Sequence, residues 1–270
     1  GKVRETDKIF CENGSYEFYK GFKIKDHLKY GLLTFREVIE QSSNIGTIKV
    51  AYQLGVRPVY DFARAFGFGE ATGVELPGEV RGTLRHPDQW SGISLSAVPI
   101  GQEVGVTPLQ ITAAMAVIAN NGVKVKPHIV RRVTSGRGKI VYKPEPGREE
   151  VLTPSVAARM KSVLEGVVKK GTGKSAAING YAVAGKTGTA QKMDPRTRKY
   201  SETKFIASFV GFVPVDKPVF ALAVILDEPA RTYWGGMVAA PVFKKIAERV
   251  LRYMDVPGEA PKLAAGAQQR

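Results

Sequence analysis

Several residue types and patterns are scarce or missing in this 270-residue chain. Its single cysteine, Cys11, excludes an internal disulfide framework and a multi-cysteine metal site. Its three histidines, at positions 27, 86 and 128, lack metal-ligand spacing such as His-Glu-x-x-His, so we expect no metal site and no other cofactor. No apolar run approaches the roughly 20 residues that span a bilayer. The first residues also lack the apolar core of a signal peptide.

Negative charge is scarce in this chain. It has 25 acidic and 40 basic residues, and its net charge is +15. A basic surface can meet nucleic acid, anionic lipid or an anionic polymer. The chain has no RNA- or DNA-binding motif, so we expect no nucleic-acid partner. The basic excess is locally highest at 124–148 and 192–204. A solvated surface is the favoured interpretation, and attraction to an anionic wall or membrane stays open.

What the chain does have is the composition of a globular protein, with 43% hydrophobic and 24% charged residues. Helix-start signals stand at Thr34, with Glu37 in the capping-box position, at Thr107-Pro108 and at Thr153-Pro154. A final helical pattern runs from 238 to 254. The predicted helices are 35–40, 45–54, 58–66, 109–121, a helix from 154 up to Gly171, and 238–254.

Strand-like runs concentrate in the second half of the chain, at 181–190, 205–213 and 219–226. The last two are joined by a five-residue turn and must therefore be antiparallel. We expect a hairpin at 129–142, loops and short strands at 1–31, and mostly loop at 67–101. The fold class predicted is α+β, an antiparallel sheet flanked by helices. We expect one domain over 1–254 and a disordered tail over 255–270.

The run Lys186-Thr187-Gly188-Thr189 combines charge, hydroxyls and a glycine in an extended segment. On a strand, Lys186 and Gly188 point to one face and the two threonines to the other. The threonine hydroxyls can bind a carboxylate, Lys186 adds positive charge, and the Thr189 N–H on an edge strand can serve in an oxyanion hole. Gly188 lets a substrate backbone approach. An isolated run of this kind is more often a strand with a surface lysine.

The tripeptide Ser42-Ser43-Asn44 lies between two helical patterns. Ser42 and Asn44 would be about 200° apart on one helix. For both to enter one cleft, the backbone must leave the helix there. The alternative interpretation is a serine or asparagine that caps the following helix.

Together, and in this order, the two short motifs resemble the second and third active-site motifs of penicillin-binding proteins. The surrounding sequence is similar to class B penicillin-binding proteins, the monofunctional transpeptidases of division and sporulation type. The resemblance covers about 31–246 and is carried by SSNIG at 42–46, GVELPGE at 73–79, IGQE at 100–103, TPLQ at 107–110, ANNG at 119–122, VAGKTGTAQ at 183–191 and AAPVF at 239–243.

The resemblance implies the transpeptidase fold shared with serine β-lactamases, and a serine acyl-enzyme that cross-links peptidoglycan stem peptides. Penicillins acylate the same serine. Carried over by position, Ser42 and Lys186 belong to the proton relay, and Asn44 holds an amide of substrate or drug. Thr187, Gly188 and Thr189 form the substrate-binding strand, with the Thr189 N–H completing the oxyanion hole.

The chain departs from the family pattern because no Ser-x-x-Lys motif precedes Ser42. Ser201-x-x-Lys204 follows the third motif, and chance alone predicts about one such match, so we do not take it as the nucleophile. The hypothesis is that the nucleophile lies upstream, in a longer protein anchored at the extracytoplasmic face of the bacterial membrane, of which this chain is an N-terminally truncated and inactive part. The family implies β-lactams, peptidoglycan, a polytopic glycosyltransferase and division or elongation proteins as partners.

Two other functions stay open at this point. A serine β-lactamase or carboxypeptidase on the same scaffold would use water as the acyl acceptor. A β-lactam sensor or degenerate binding module would have lost the nucleophile itself. The class-B-like segments argue against the first, and the intact second and third motifs argue against the second.

Overall fold

The computed structural model describes residues 2–19, 21–197 and 199–258. Its strands are β1 Lys8–Phe10, β2 Ser15–Tyr19, β3 Phe22–Lys25, β4 Leu32–Thr34, β5 Thr83–Leu84, β6 Val104–Gly105, β7 Val123–Val125, β8 Val133–Thr134, β9 Ile140–Tyr142, β10 Arg148–Glu150, β11 Ala184–Met193, β12 Tyr200–Val213 and β13 Phe220–Asp227. Its α-helices are α1 Phe35–Glu40, α2 Asn44–Leu54, α3 Val56–Ala65, α4 Ser94–Ala97, α5 Pro108–Ala119, α6 Pro154–Lys169 and α7 Gly235–Tyr253.

The central sheet has the order β11–β12–β13, and both pairs are antiparallel. Lys186 lies opposite Val210 and Thr187 opposite Phe209, so the register fixes which residues of β11 share a face with which residues of β12. Within the part of the chain that the structure describes, β11 pairs with no strand other than β12. Its other edge is therefore open.

Helices cover both faces of this sheet. On one face, α7 packs its Phe243 against Phe209 of β12, with the two rings 4.8 Å apart. On the other face, Met115 of α5 and Leu164 of α6 pack with Phe212. A separate buried cluster lies around Cys11, Val38 and Ile45, where β1, α1 and α2 meet. The result is the predicted α+β architecture, with burial of apolar area supplying the main driving force.

The helix-start signals are confirmed by the caps. Thr34 and Glu37 form a capping box, and so do Thr107 and Gln110. Thr153 accepts the N–H of Val156 and begins α6. These side chains satisfy N–H groups that a helix leaves without partners at its first turn.

The boundaries of several elements differ from the prediction. The first sheet strand begins at Ala184 rather than 181, and the second begins at Tyr200, five residues early. The last helix starts at Gly235 rather than at 238. Glycine disfavours helix interiors, but Gly235 lies in the first turn, where it closely approaches the sheet. The hairpin expected at 129–142 is confirmed as β8–β9.

Most of the predicted tail, 259–270, lies outside the described residues, and the domain limits stay a prediction. No helix of the described part is long and apolar enough to cross a membrane.

Candidate active site

The backbone leaves the helix at Ser42, as the sequence requires for a shared cleft. Helix α1 ends at Glu40 and α2 begins at Asn44, and Ser42 between them has φ +58°. A non-glycine residue in this left-handed region is uncommon and marks a position fixed by its surroundings. Ser43 is the N-cap of α2, since its Oγ accepts the N–H of Gly46 at 3.0 Å. Both interpretations of this tripeptide are confirmed, each for a different serine. The backbone leaves the helix at Ser42, and Ser43 caps the following helix.

A segment that the sequence analysis did not single out holds this turn from outside. Asp26 accepts the Ser43 hydroxyl at 2.6 Å and the Ile45 N–H at 3.1 Å. The Asn44 side chain donates its Nδ2 to the backbone oxygen of Lys25 at 3.1 Å. The Asp26 carboxylate also lies at the positive N-terminus of α2, where negative charge is stabilised. No sequence signal links Asp26 to a motif 17 residues away.

The run Lys186-Thr187-Gly188-Thr189 lies within β11, and its side chains alternate as predicted. Thr187 and Thr189 face α7. The hydroxyls of Thr187 and Thr172 are 2.7 Å apart, and the Gly235 N–H donates to Thr189 Oγ1 at 3.2 Å. Lys186 points to the opposite face of the strand.

The contact that joins the two motifs is made by Lys186. Its Nζ donates to Ser42 Oγ at 2.7 Å and to the Thr187 backbone oxygen at 3.1 Å. Burial of the ammonium lowers the pKa of Lys186 to about 8. A lysine with such a pKa exchanges protons near neutral pH far more readily than an ordinary one. The structure therefore brings together Ser42 and Lys186, which are 144 residues apart in sequence.

Asn44 is placed beside this pair by the chain but is not bonded to it. Among the described residues, no hydrogen bond joins Asn44 to Lys186 or to the two threonines of β11, and its side-chain nitrogen donates to the Lys25 backbone oxygen. The amide oxygen is thus the atom through which Asn44 can accept an N–H from a bound molecule.

Close backbone packing accompanies the strand. A Cβ on Gly235 would meet the backbone oxygens of Ser208 and Gly188, and a Cβ on Gly188 would meet the hydroxyl of Ser208. These glycines allow α7 to begin directly against the sheet, where the Gly235 N–H reaches Thr189 of β11. The requirement explains why Gly235 opens a helix.

Three aromatic side chains that no sequence motif indicated also lie near the site. The His27 ring lies 5.7 Å from both Trp234 and Tyr30, and the Tyr30 hydroxyl is 3.3 Å from His27 Nε2. Burial lowers the pKa of His27 and the positive charge of Lys186 lowers it further, while Asp26 acts in the opposite direction. His27 is therefore mainly neutral at pH 7 and belongs to the electrostatic surroundings of Lys186. No spacing in the sequence relates these residues.

The one Ser-x-x-Lys run of the sequence, Ser201 to Lys204, lies inside β12. The Ser201 hydroxyl accepts backbone N–H groups of Thr203 and Lys204 at 3.2 and 3.0 Å. The Lys204 ammonium pairs instead with Glu228 at 3.5 Å. Ser201 and Lys204 thus form no nucleophile–base pair, which requires the two groups within hydrogen-bond reach.

Comparison with known proteins agrees with this geometry. The family described as penicillin binding protein transpeptidase domain matches residues 1–248. Penicillin-binding protein PbpB of Mycolicibacterium smegmatis is 36% identical over 266 residues, covering 94% of this chain and 41% of that protein. Peptidoglycan D,D-transpeptidase FtsI of Escherichia coli is 36% identical over 242 residues, covering 89% of this chain and 39% of FtsI.

A solved structure gives the same result. Penicillin-binding protein 3 of Mycobacterium tuberculosis, complexed with ampicillin, superposes with a TM-score of 0.87 at 34% identity, covering 96% of this chain and 59% of the other. The chain belongs to the penicillin-binding protein transpeptidase family, among the class B proteins. It spans about two fifths of the length of the two curated relatives.

Proposed function

We propose that this chain is the part of a peptidoglycan D,D-transpeptidase that supplies the second and third motifs of the active site. The longer protein cross-links stem peptides through a serine acyl-enzyme, and penicillins acylate the same serine. The observation that carries the proposal is the 2.7 Å hydrogen bond from Lys186 Nζ to Ser42 Oγ. The proposal is further supported by a relative whose name states this reaction and by one bound to ampicillin.

In the proposed reaction, Ser42 and Lys186 act as a proton relay. Lys186 donates to Ser42 Oγ, so the Ser42 hydroxyl hydrogen is directed elsewhere. When the peptide bond breaks, Ser42 can give this proton to the leaving amine and recover one from the Lys186 ammonium. A pKa of about 8 suits this role, because general acid–base groups work best near the operating pH.

The open edge of β11 is proposed to bind the substrate. A peptide laid along this edge would pair with backbone groups of the strand. The Thr189 N–H would then donate to the developing oxyanion, and the hydroxyls of Thr187 and Thr189 would bind the terminal carboxylate. Asn44 would accept an amide N–H of the substrate through its side-chain oxygen.

The nucleophile is proposed to be a serine that precedes this chain. The family pattern requires a serine with a lysine three residues later, and Ser201 with Lys204 does not form such a pair. Since peptidoglycan lies outside the cytoplasm, the proposed place of action is the extracytoplasmic face of the membrane. The proposed protein partners are a polytopic glycosyltransferase and division or elongation proteins.

The proposal is tested with the full-length protein and nascent peptidoglycan, by counting cross-linked stem-peptide dimers. We expect dimers that disappear on addition of a penicillin, and a strong reduction in Ser42→Ala. Shortened stem peptides without dimers would indicate water as the acceptor and would overturn the transpeptidase assignment in favour of a carboxypeptidase.

A further inference from the structure

The hairpin β8–β9 leaves large apolar side chains exposed to solvent. Ile140, Val141 and Tyr142 of β9 are between 47% and 61% exposed, and Val133 of β8 is 45% exposed. Isolated two-stranded hairpins are marginally stable in water. Its turn is closed by Ser135, whose N–H donates to the Lys139 oxygen and whose own oxygen accepts the Gly138 N–H. A short hairpin that leaves its apolar side chains in water is a candidate for contact with another surface.

The same hairpin concentrates positive charge. Residues 129–143 contain five basic residues and no acidic one. Among the described residues, none of the five is in an ion pair with a carboxylate. The five are Arg131, Arg132, Arg137, Lys139 and Lys143. This stretch lies within one of the two basic segments of the sequence, and the candidate active site uses none of it.

The apolar side chains lie on both faces of the hairpin. Val133 is directly opposite Tyr142, so these two share a face. Ile140 is opposite Thr134, and Val141 is the extra residue of a register shift between the two pairs. Because Val133 and Thr134 are successive residues that point to opposite faces, Ile140 lies on the face opposite to Tyr142. A rigid protein partner would cover one face and leave the other in water. A fluid interface accepts apolar side chains from both faces at once.

We propose that the β8–β9 hairpin docks on a membrane surface that contains anionic lipids. The five basic side chains meet the headgroups, and the apolar side chains enter the boundary between headgroups and acyl chains. An anionic polymer of the wall would satisfy the charges but offers nothing to Val141 and Tyr142. The inference is independent of the proposed catalytic function, because none of the side-chain hydrogen bonds described for the two motifs involves a residue of the hairpin.

The base of the hairpin is fixed to the body of the protein. The Glu75 carboxylate accepts the Ile129 N–H at 3.0 Å, and Lys126 N–H donates to the Gly147 oxygen at 3.3 Å. Binding at the hairpin would therefore orient the whole chain relative to the membrane.

Flotation of the chain with lipid vesicles tests the proposal. Vesicles of phosphatidylcholine alone are compared with vesicles that contain phosphatidylglycerol. We expect binding only to the anionic vesicles, and weakening at about 0.5 M salt, where the charges are screened. Equal binding to neutral vesicles, or no binding to either, would overturn the proposal.

Two triple variants of equal net charge locate the contact. Arg132→Gln, Arg137→Gln and Lys139→Gln remove three charges from the hairpin. Lys217→Gln, Lys245→Gln and Arg249→Gln remove three exposed charges elsewhere. We expect the hairpin variant to bind anionic vesicles about 10- to 100-fold more weakly, and the control to stay within about threefold. Equal losses in both would show that only total charge matters and would overturn the inference.

A third variant separates lipid from polymer at constant charge. Val141→Ser with Tyr142→Ser should weaken vesicle binding about tenfold or more, because burial of their apolar surface is lost. It should leave binding to soluble polyphosphate unchanged. If the variant binds vesicles like the unaltered chain, the apolar contact does not exist and the membrane assignment is wrong. Far-UV circular dichroism confirms that each variant is folded.

Discussion

The two halves of the candidate site are held in place by different kinds of interaction. The Ser42–Asn44 turn is irregular, with Ser42 in the left-handed region, and the Asp26 carboxylate and the Lys25 backbone oxygen fix it. The Lys186–Thr189 run is a regular strand held by the backbone ladder of β11 and β12. A ladder depends little on side-chain identity, whereas the turn depends on one carboxylate. The turn is therefore expected to be sensitive to single side-chain changes, and the strand mainly to changes that obstruct backbone packing.

The largest effect is expected where the two halves meet. In a longer protein that penicillin labels, Lys186→Ala should slow acylation about 100- to 10,000-fold, because the relay loses its proton donor. The rate is measured by stopped-flow or gel labelling. Lys192→Ala is the matched control, since it removes the same charge from the same strand at a site paired with Asp227. If Lys186→Ala is acylated at the control's rate, the Ser42–Lys186 contact does not contribute to acylation.

The turn is tested by Asp26→Ala. The change leaves the Ser43 hydroxyl and the Ile45 N–H without their acceptor and should lower the free energy of unfolding by about 1.5–3 kcal/mol. Urea denaturation measures this. Asp26→Asn keeps an acceptor oxygen and should lose less. An Asp26→Ala variant as stable as the unaltered chain would mean that the turn does not depend on this carboxylate.

The strand is tested by Gly235→Ala. The new Cβ would meet backbone oxygens of Ser208 and Gly188, which cannot move without disturbing the sheet, so we expect a loss of about 1–3 kcal/mol. Gly136→Ala is the control, because open space surrounds that position. Equal stability of the two variants would show that α7 can shift away from β11 at no cost.

The smallest effect concerns the pH dependence of stability. Between pH 8 and 10.5, Lys186 in the folded chain is largely neutral while the same lysine in the unfolded chain is still protonated. The unfolded state then binds more protons, so the stability rises with pH across this window. Because Lys186 is half-buried rather than fully buried, we discount the full shift and expect a contribution of about 1 kcal/mol. In thermal unfolding, the stability of Lys186→Met should rise less between pH 8 and 10.5 than that of the unaltered chain. An identical rise would show that Lys186 is not the group responsible for it.

Local signals in the sequence predicted much of the fold. Thr34 with Glu37 and Thr153 with Pro154 mark helix starts through contacts within four residues, and these are confirmed. The break between α1 and α2 and the alternation along β11 were likewise predictable, because both follow from short-range geometry.

The long-range contacts of the site were not predictable in this way. Asp26 reaches the turn, and Thr172 reaches Thr187, through the packing of elements that no periodicity relates. Gly235 begins α7 because of its approach to Ser208, which only the folded arrangement determines. The resemblance to the family predicted that Ser42 and Lys186 would meet, but not the side chains that hold them together.

Labelling with a fluorescent penicillin, followed by peptide mass mapping, tests the position of the nucleophile directly. It is applied to this chain, to its Ser201→Ala variant and to a protein that begins further upstream. We expect label only on the longer protein, at a serine that precedes residue 1. Labelling of this chain at Ser42 or Ser201 would contradict the proposed location of the nucleophile. Absence of label on every form would contradict the acyl-enzyme itself and favour a degenerate binding module.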